Sequence, residues 1–198
     1  MAILRLTMRP ATSWHRKAWP ATWLVILALL FSGVKDLSAQ PVSQEYQVKA
    51  AFLYNFSQFI EWPASVLPGN QSPLVIGVLG EDPFGGYLDE LVRGERVGNH
   101  PLVVRRFRQV AEIQTCHILF VSQSESKQLE QIFSYLKGRN ILTVGDAENF
   151  AIRGGMIRFI TENNRIRFRI NLAAARAESL TISSKLLRAA EIISPGRD

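Results

Sequence analysis

Few residues in this chain have the type and spacing of reactive chemistry, and the most suggestive stretch is Gly80-Glu81-Asp82-Pro83-Phe84-Gly85-Gly86. It follows an apolar run and precedes a helical pattern, which is the setting of a phosphate-cradling loop. The chemistry is absent. Gly86 and Tyr87 stand where Lys and Ser/Thr are needed, and Glu81 and Asp82 would repel an anion. His100 and His117 have no metal spacing such as H-E-x-x-H, and Cys116, next to His117, would point to the opposite side of a strand. Ser183-Ser184-Lys185 lacks the S-x-x-K spacing of an activated serine, and no G-x-S-x-G elbow occurs. Asp146 stands at the end of a strand pattern, where α/β proteins place their ligands. It reads more simply as the N-cap of a helix over Ala147 to Ala151. The residues therefore predict no enzyme, no metal and no cofactor.

A binding surface is better supported. Two strand patterns, Met156 to Glu162 and Arg165 to Ile170, flank Asn163-Asn164, a pair that tolerates the positive φ angles of a two-residue hairpin turn. That turn sets the register: Glu162 faces Arg165, Ile160 faces Arg167, and Arg158 faces Arg169, all on one side. Ile157, Phe159, Ile166, Phe168 and Ile170 take the other side. One face is core, and the other is an arginine patch with few acids of its own. Like charges directly opposite cost about 0.2–1 kcal/mol. The patch either meets Glu or Asp elsewhere in this chain, as a solvated strand face, or is kept for a partner; for the second, Arg158, Glu162, Arg165, Arg167 and Arg169 are the candidate binding residues.

The elements that must hold this hairpin start with Val48 to Pro63. Val48, Phe52, Phe56 and Phe59/Ile60 recur at steps of three to four and predict a helix with an aromatic core face, leaving Gln47, Lys49 and Gln58 off that face. Ser43 can cap it, Glu45 suits its first turn, and Pro63 predicts a stop near Glu61. After the polar link Leu67 to Pro73, strand and helix patterns alternate. They run strand Leu74 to Gly80, helix from Asp82-Pro83 to Leu91, strand Leu102 to Phe107, short helix Val110 to Gln114, strand His117 to Ser122, helix Glu125 to Leu136 and strand Ile141 to Val144. Alternation of this kind means a parallel sheet. The hairpin closes it, and a final helix is expected over Ser183 to Ile193. The predicted fold is an α/β single-domain sandwich: a mostly parallel sheet ending in an antiparallel hairpin, with helices on both faces.

Residues 1–39 stand apart. Arg5, Arg9, Arg16 and Lys17 precede an apolar run from Trp19 to Phe31, and Leu37-Ser38-Ala39 offers a small residue for cleavage, the pattern of a secretory signal peptide. The run is interrupted by Pro20 and is too short for a membrane span. The domain proper is then 40–198. The formal charge of the 198-residue chain is +6, but the leader holds Arg5, Arg9, Arg16, Lys17 and Lys35 against Asp36 alone, which leaves +2. Nothing in that balance calls for nucleic acid. Cys116 is the single cysteine, so no intramolecular disulfide can form; it is a packing residue or an intermolecular bridge, and its apolar neighbours favour packing.

The order of motifs resembles the YfiR-like family of periplasmic proteins. The resemblance is carried by Lys49 to Phe56 with Glu61-Trp62-Pro63, by Leu79-Gly80 with Asp82-Pro83-Phe84-Gly85, and by Cys116-His117-Ile118-Leu119-Phe120. It continues through Leu142-Thr143-Val144-Gly145-Asp146, Gly154-Gly155-Met156-Ile157, Phe168-Arg169-Ile170-Asn171 and Ser183-Ser184-Lys185-Leu186-Leu187. It implies a small periplasmic α/β domain, often a homodimer, that regulates and does not catalyse. Its expected partners are an inner-membrane signalling protein, either a diguanylate cyclase or a sensor kinase, and an outer-membrane lipoprotein that relieves repression. The expected outcome is lower cyclic-di-GMP and less biofilm. Some members use disulfides, and the lone Cys116 departs from that. A second expectation is a small-ligand sensor that acts with a sensor kinase or transporter through the crevice near Gly80, Asp82 and Asp146.

Overall fold

The structure is a computed structural model that describes residues 42–69 and 71–193. The expected signal peptide lies outside the described residues. Its first element is α1, Gln44–Phe59, with Ser43 as N-cap: the hydroxyl accepts from the Tyr46 amide at 3.4 Å. The helix ends two residues earlier than Pro63 alone would dictate. Ile60 and Glu61 form a short strand β1 that pairs antiparallel with β9, Thr181–Ile182, so the chain extends before it reaches the proline.

The core is an eight-stranded sheet with the order β10-β8-β7-β6-β5-β2-β4-β3 among the described residues, running from β10 (Glu191–Ile193) at one edge to β3 (Arg96–Val97), antiparallel to β4, at the other. Its centre is parallel: β2 (Leu74–Leu79) lies between β4 (His100–Phe107) and β5 (Ile118–Val121), and β6 (Leu142–Gly145) follows β5. All of β2, β5 and β6 is buried, as continuous apolar runs require when both faces are covered. β7 (Ile157–Glu162) joins parallel to β6, and β8 (Arg165–Asn171) folds back antiparallel. Asn163 and Asn164 have φ of 50° and 61°, the paired left-handed conformation the hairpin needs. The observed register is the expected one, Glu162 opposite Arg165 and Arg158 opposite Arg169.

Period-two alternation sends the strand residues to two separate cores. Leu74, Ile76, Val78, Ile118, Phe120 and Val144 pack with α1 and with α2, Gly86–Val92. Leu79, Leu119, Val121 and Phe107 pack on the other face with α3, Leu129–Leu136. Helices thus cover both faces. The hairpin belongs to the first core, where Phe52 and Phe56 of α1 meet Phe159 and Phe168 at ring separations of 5.3–6.0 Å.

Several expected boundaries are corrected. Asp82 does not open a helix. Its Oδ1 accepts from the Phe84 amide at 2.8 Å, its Oδ2 accepts from Arg106 at 2.8 Å, and α2 starts only after Gly85, whose φ of 50° ends that loop. The helix expected over Glu125 to Leu136 begins as a 3-10 turn, Gln123–Gln128, and the short helix after β4 is a 3-10 turn, Val110–Glu112. Ala147 to Ala151 form turns and no helix. The final helix expected over Ser183 to Ile193 is a single turn, α5 (Ser184–Arg188), followed by β10 (Glu191–Ile193), which pairs parallel to β8. A helix α4, Leu172–Ala177, was not expected; Asn171 caps it by accepting from the Ala174 amide at 3.0 Å. The apolar face of α1 also turns relative to expectation. Val48 is 39% exposed, while Lys49, Ala50, Leu53 and Phe56 are buried.

Candidate functional site

The buried position of Lys49 is the key to the site. A lysine 2% exposed must be paired, and its Nζ meets Asp146 Oδ2 at 2.6 Å and Glu45 Oε1 at 2.7 Å. Tyr46 donates its hydroxyl to the same Asp146 oxygen at 3.0 Å, and the Lys49 ammonium lies 4.4 Å from the centre of the Tyr46 ring. Burial, and then the Asp146 charge beside it, hold the Tyr46 phenol well above its usual pKa, so it stays a neutral donor. Glu45 in turn accepts from Thr161 at 3.1 Å, and its carboxyl is held below the usual range chiefly by Lys49. These contacts join the start of α1 to the end of β6 and to the hairpin. Asp146 is therefore not a helix cap, because its carboxylate is directed to Lys49 and Tyr46. Its Oδ1 is buried and has no hydrogen-bond partner among the described residues.

This cluster forms one wall of an open cleft of about 560 Å³ at the carboxyl ends of β5 and β6. Gln123 and Asp146 line it together with Arg158, Glu162 and Arg169 of the hairpin, and Arg158 pairs across the sheet with Gly145, the residue before Asp146. Phe159 and Ile160 are its apolar lining residues. Gln123 follows the end of β5, which neighbours β2 where the connections switch faces: β2 is followed by α2 on one face, and β5 by α3 on the other. Open α/β sheets form their crevices at such points.

The structure brings the five hairpin residues onto one face, as expected, and also connects them to the rest of the chain. Arg167 lies 3.8 Å from Glu162 in an exposed pair, and Arg169 Nε donates to Glu191 of β10 at 2.9 Å. Arg165 is exposed and lines a neighbouring groove with Val48 and Ile166. The remaining candidates do not converge here. Asp82 is occupied by Arg106, and a Cβ at Gly80 would meet Ser124 and Glu125. His117 is buried, and its Nδ1 accepts from the Val75 amide at 2.9 Å, which makes it part of the sheet. Cys116 is buried among Phe107, Leu119 and Gly77, and burial pushes its thiol up to about 12. It is the packing residue its neighbours suggested. Ser183 caps α5 through the Leu186 amide at 3.4 Å.

Lys49, Tyr46, Glu45, Gln123 and Thr161 were not read from sequence as members of a site. A Glu45/Lys49 pair one turn apart was readable, but Asp146 is 97 residues from Lys49, and no local pattern joins them. Among the described residues no helix is long and apolar enough to cross a membrane, and no cluster of His, Cys, Asp and Glu could hold a metal ion.

A model of the domain family described as YfiR/HmsC-like matches residues 46–191. No curated protein matches the chain. Among solved structures the chain is similar to the ABC domain in complex with L-Trp from Streptococcus pneumonia, at 13% identity and a TM-score of 0.46, covering 66% of this chain and 58% of that one. It is also similar to a conserved domain protein from Vibrio cholerae, at 14% identity and a TM-score of 0.43, covering 66% and 57%. The chain thus spans less than three fifths of the length of either.

Proposed function

We propose, from the premise that this chain belongs to the YfiR/HmsC-like family, that it is a periplasmic regulator that represses an inner-membrane diguanylate cyclase by binding it through the outer face of the β7-β8 hairpin. Family membership supports a regulatory role and no catalytic one. Repression would lower cyclic-di-GMP and biofilm formation, and an outer-membrane lipoprotein that captures this protein would relieve it. A homodimer fits the same reading. The observation that carries the proposal is the division of the hairpin: Phe159, Phe168 and Ile170 are buried in the core, while Arg158, Arg165, Arg167 and Arg169 share the other face with Glu162. Arginine rigidly mounted on a strand suits a carboxylate-bearing partner, because the guanidinium fork can bind both oxygens.

The test separates binding from folding. Arg165→Glu with Arg167→Glu changes exposed side chains, so the melting temperature should stay within a few degrees of wild type. Loss of an interfacial charge pair costs roughly 2–5 kcal/mol of binding, so the variant should release the cyclase, read as raised cyclic-di-GMP and more biofilm. Phe168→Ala serves as the folding control and should lose about 3–5 kcal/mol of stability. A stable double variant that still represses would move the partner surface elsewhere.

A second reading, a small-ligand sensor, is favoured by the cleft beside Asp146. It retains one of the three residues the sequence offered for it and gains Lys49, Tyr46 and Arg158.

A further inference from the structure

We infer that the cleft is a binding site for a small polyhydroxylated carboxylate, a sugar acid, and that its occupancy competes with docking at the hairpin face. The proposal rests on the regulatory reading only in its second half. The first half stands on the cleft itself.

One observation points to a ligand with a hydrogen-bond donor. The Asp146 side chain is 8% exposed, it lines the cleft, and its Oδ1 is buried without a partner among the described residues while Oδ2 takes both Lys49 and Tyr46. A buried carboxylate oxygen left without a donor is costly, and a ligand hydroxyl or amine placed there removes the cost. The neighbouring Gln123 carries a donor and an acceptor for further hydroxyls.

A second observation points to an anion. Arg158 and Arg169 are directly opposite in the hairpin register and both line the cleft. Two guanidinium forks lining one cleft can address the oxygens of a ligand carboxylate. Each guanidinium has five N–H donors in a planar fork, so an arginine oriented by one acid, as Arg169 is by Glu191, can address a ligand oxygen as well.

Size and polarity narrow the class. The volume, about 560 Å³, falls within the usual range for small-molecule sites. Phe159 and Ile160 are the apolar members of a lining that is otherwise polar or charged. Such a wall gives little to an aromatic or aliphatic ligand and much to one with hydroxyls on several sides. A hexuronate meets these demands: hydroxyls toward Asp146 and Gln123, and a carboxylate toward the two arginines.

The consequence is regulatory. Arg158, Glu162 and Arg169 belong both to the cleft wall and to the proposed partner face. An arginine fork engaged by a ligand carboxylate is no longer available in the same geometry to a partner's carboxylate, so a sugar acid should release the partner.

The experiment titrates protein purified from cells expressing the full-length gene with D-glucuronate, D-glucose and acetate, by calorimetry. Saturable one-site binding of glucuronate at least tenfold tighter than either control is expected, because only glucuronate carries both hydroxyls for Asp146 and Gln123 and a carboxylate for the arginines. Arg158→Gln and, separately, Arg169→Lys should each weaken it about tenfold or more, and thermal melts establish that both variants are folded. Equal affinity for glucuronate and acetate, or no binding of glucuronate, would overturn the sugar-acid site. Unchanged glucuronate affinity in both folded variants would place the ligand outside this cleft. In cells, glucuronate should raise cyclic-di-GMP as deletion of the gene does. A deletion that leaves cyclic-di-GMP unchanged while glucuronate still binds retains the site and removes only the regulatory reading; a response to deletion but not to glucuronate removes the competition.

Discussion

Lys49 and Asp146 hold the candidate site together, and their pairing has a measurable energy. Removing one member of a buried ion pair leaves the other charge without a partner, at a cost of roughly 3–5 kcal/mol, whereas replacing both by apolar residues is often close to neutral. Glu45 also reaches Lys49, but its side chain is 42% exposed and water screens its share. Lys49→Met should therefore lose about 3 kcal/mol in urea unfolding, and Lys49→Met with Asp146→Leu should recover most of it. A single variant within about 1 kcal/mol of wild type would mean that the pair is solvated in solution. His117 makes a second prediction at this scale. Burial lowers its pKa, and the folded protein keeps the ring neutral because Nδ1 must accept from Val75. The unfolded chain titrates near 6.5. Above that value both states are neutral and the contribution is complete. As pH falls below it, the unfolded chain takes a proton that the folded one refuses, and stability declines until the folded-state pKa is passed. Chemical denaturation from about pH 7.5 to 5.5 should follow this decline, and His117→Asn, which retains an acceptor, should flatten it. Parallel curves for the two proteins would assign the decline to other groups.

The elements differ in how much they depend on close approach. β6 ends at Gly145, and the following turn folds the Phe150 ring between Gly145 and Gly155. A Cβ at these positions would lie 2.5 Å and 2.2 Å from ring carbons. Asp146 directly follows, so this packing fixes where its carboxylate emerges. Overpacking a tight core commonly costs about 1–3 kcal/mol. Gly145→Ala should therefore lower stability by that amount or more and, by displacing Asp146, weaken any ligand of the cleft. Recovery in Gly145→Ala with Phe150→Leu would show that the ring is the cause. The hairpin depends instead on α1. Phe52 and Phe56 grip its inner face, and Glu45 holds Thr161 near its tip, so the arginine face is carried on a strand pair packed against a helix.

At the scale of the whole molecule, two features of the described residues act together: an α/β core, and a charged hairpin that joins a polar cleft to an outer face. Export can be tested directly. Periplasmic protein should contain a mature chain that starts at Gln40, because the apolar run is followed by Ala39 at the cleavage position. Mass spectrometry that found only a cell-associated chain retaining residues 1–39 would reject periplasmic action. The charge of that mature chain is small, so attraction between protein and partner should come from the hairpin patch and weaken with salt.

Local chemistry was enough to read the parallel sheet, the capped aromatic helix, the Asn163-Asn164 turn and the two faces of the hairpin. Each follows from contacts between residues close in the chain: periodicity, turn dihedrals and caps. The cleft was not readable in this way. Lys49 looked like a solvent-facing helical residue and Asp146 like an N-cap, because each was judged by its neighbours in sequence, and their partners lie 97 residues apart. The final segment failed for the same reason. Leu186, Leu187, Ala190 and Ile193 have helical spacing, yet the open edge of β8 takes Glu191–Ile193 as a strand. Local propensity is worth tenths of a kcal/mol per residue, and the hydrogen bonds and burial offered by a waiting sheet edge, or by a lysine that must be paired, outweigh it once the chain has folded.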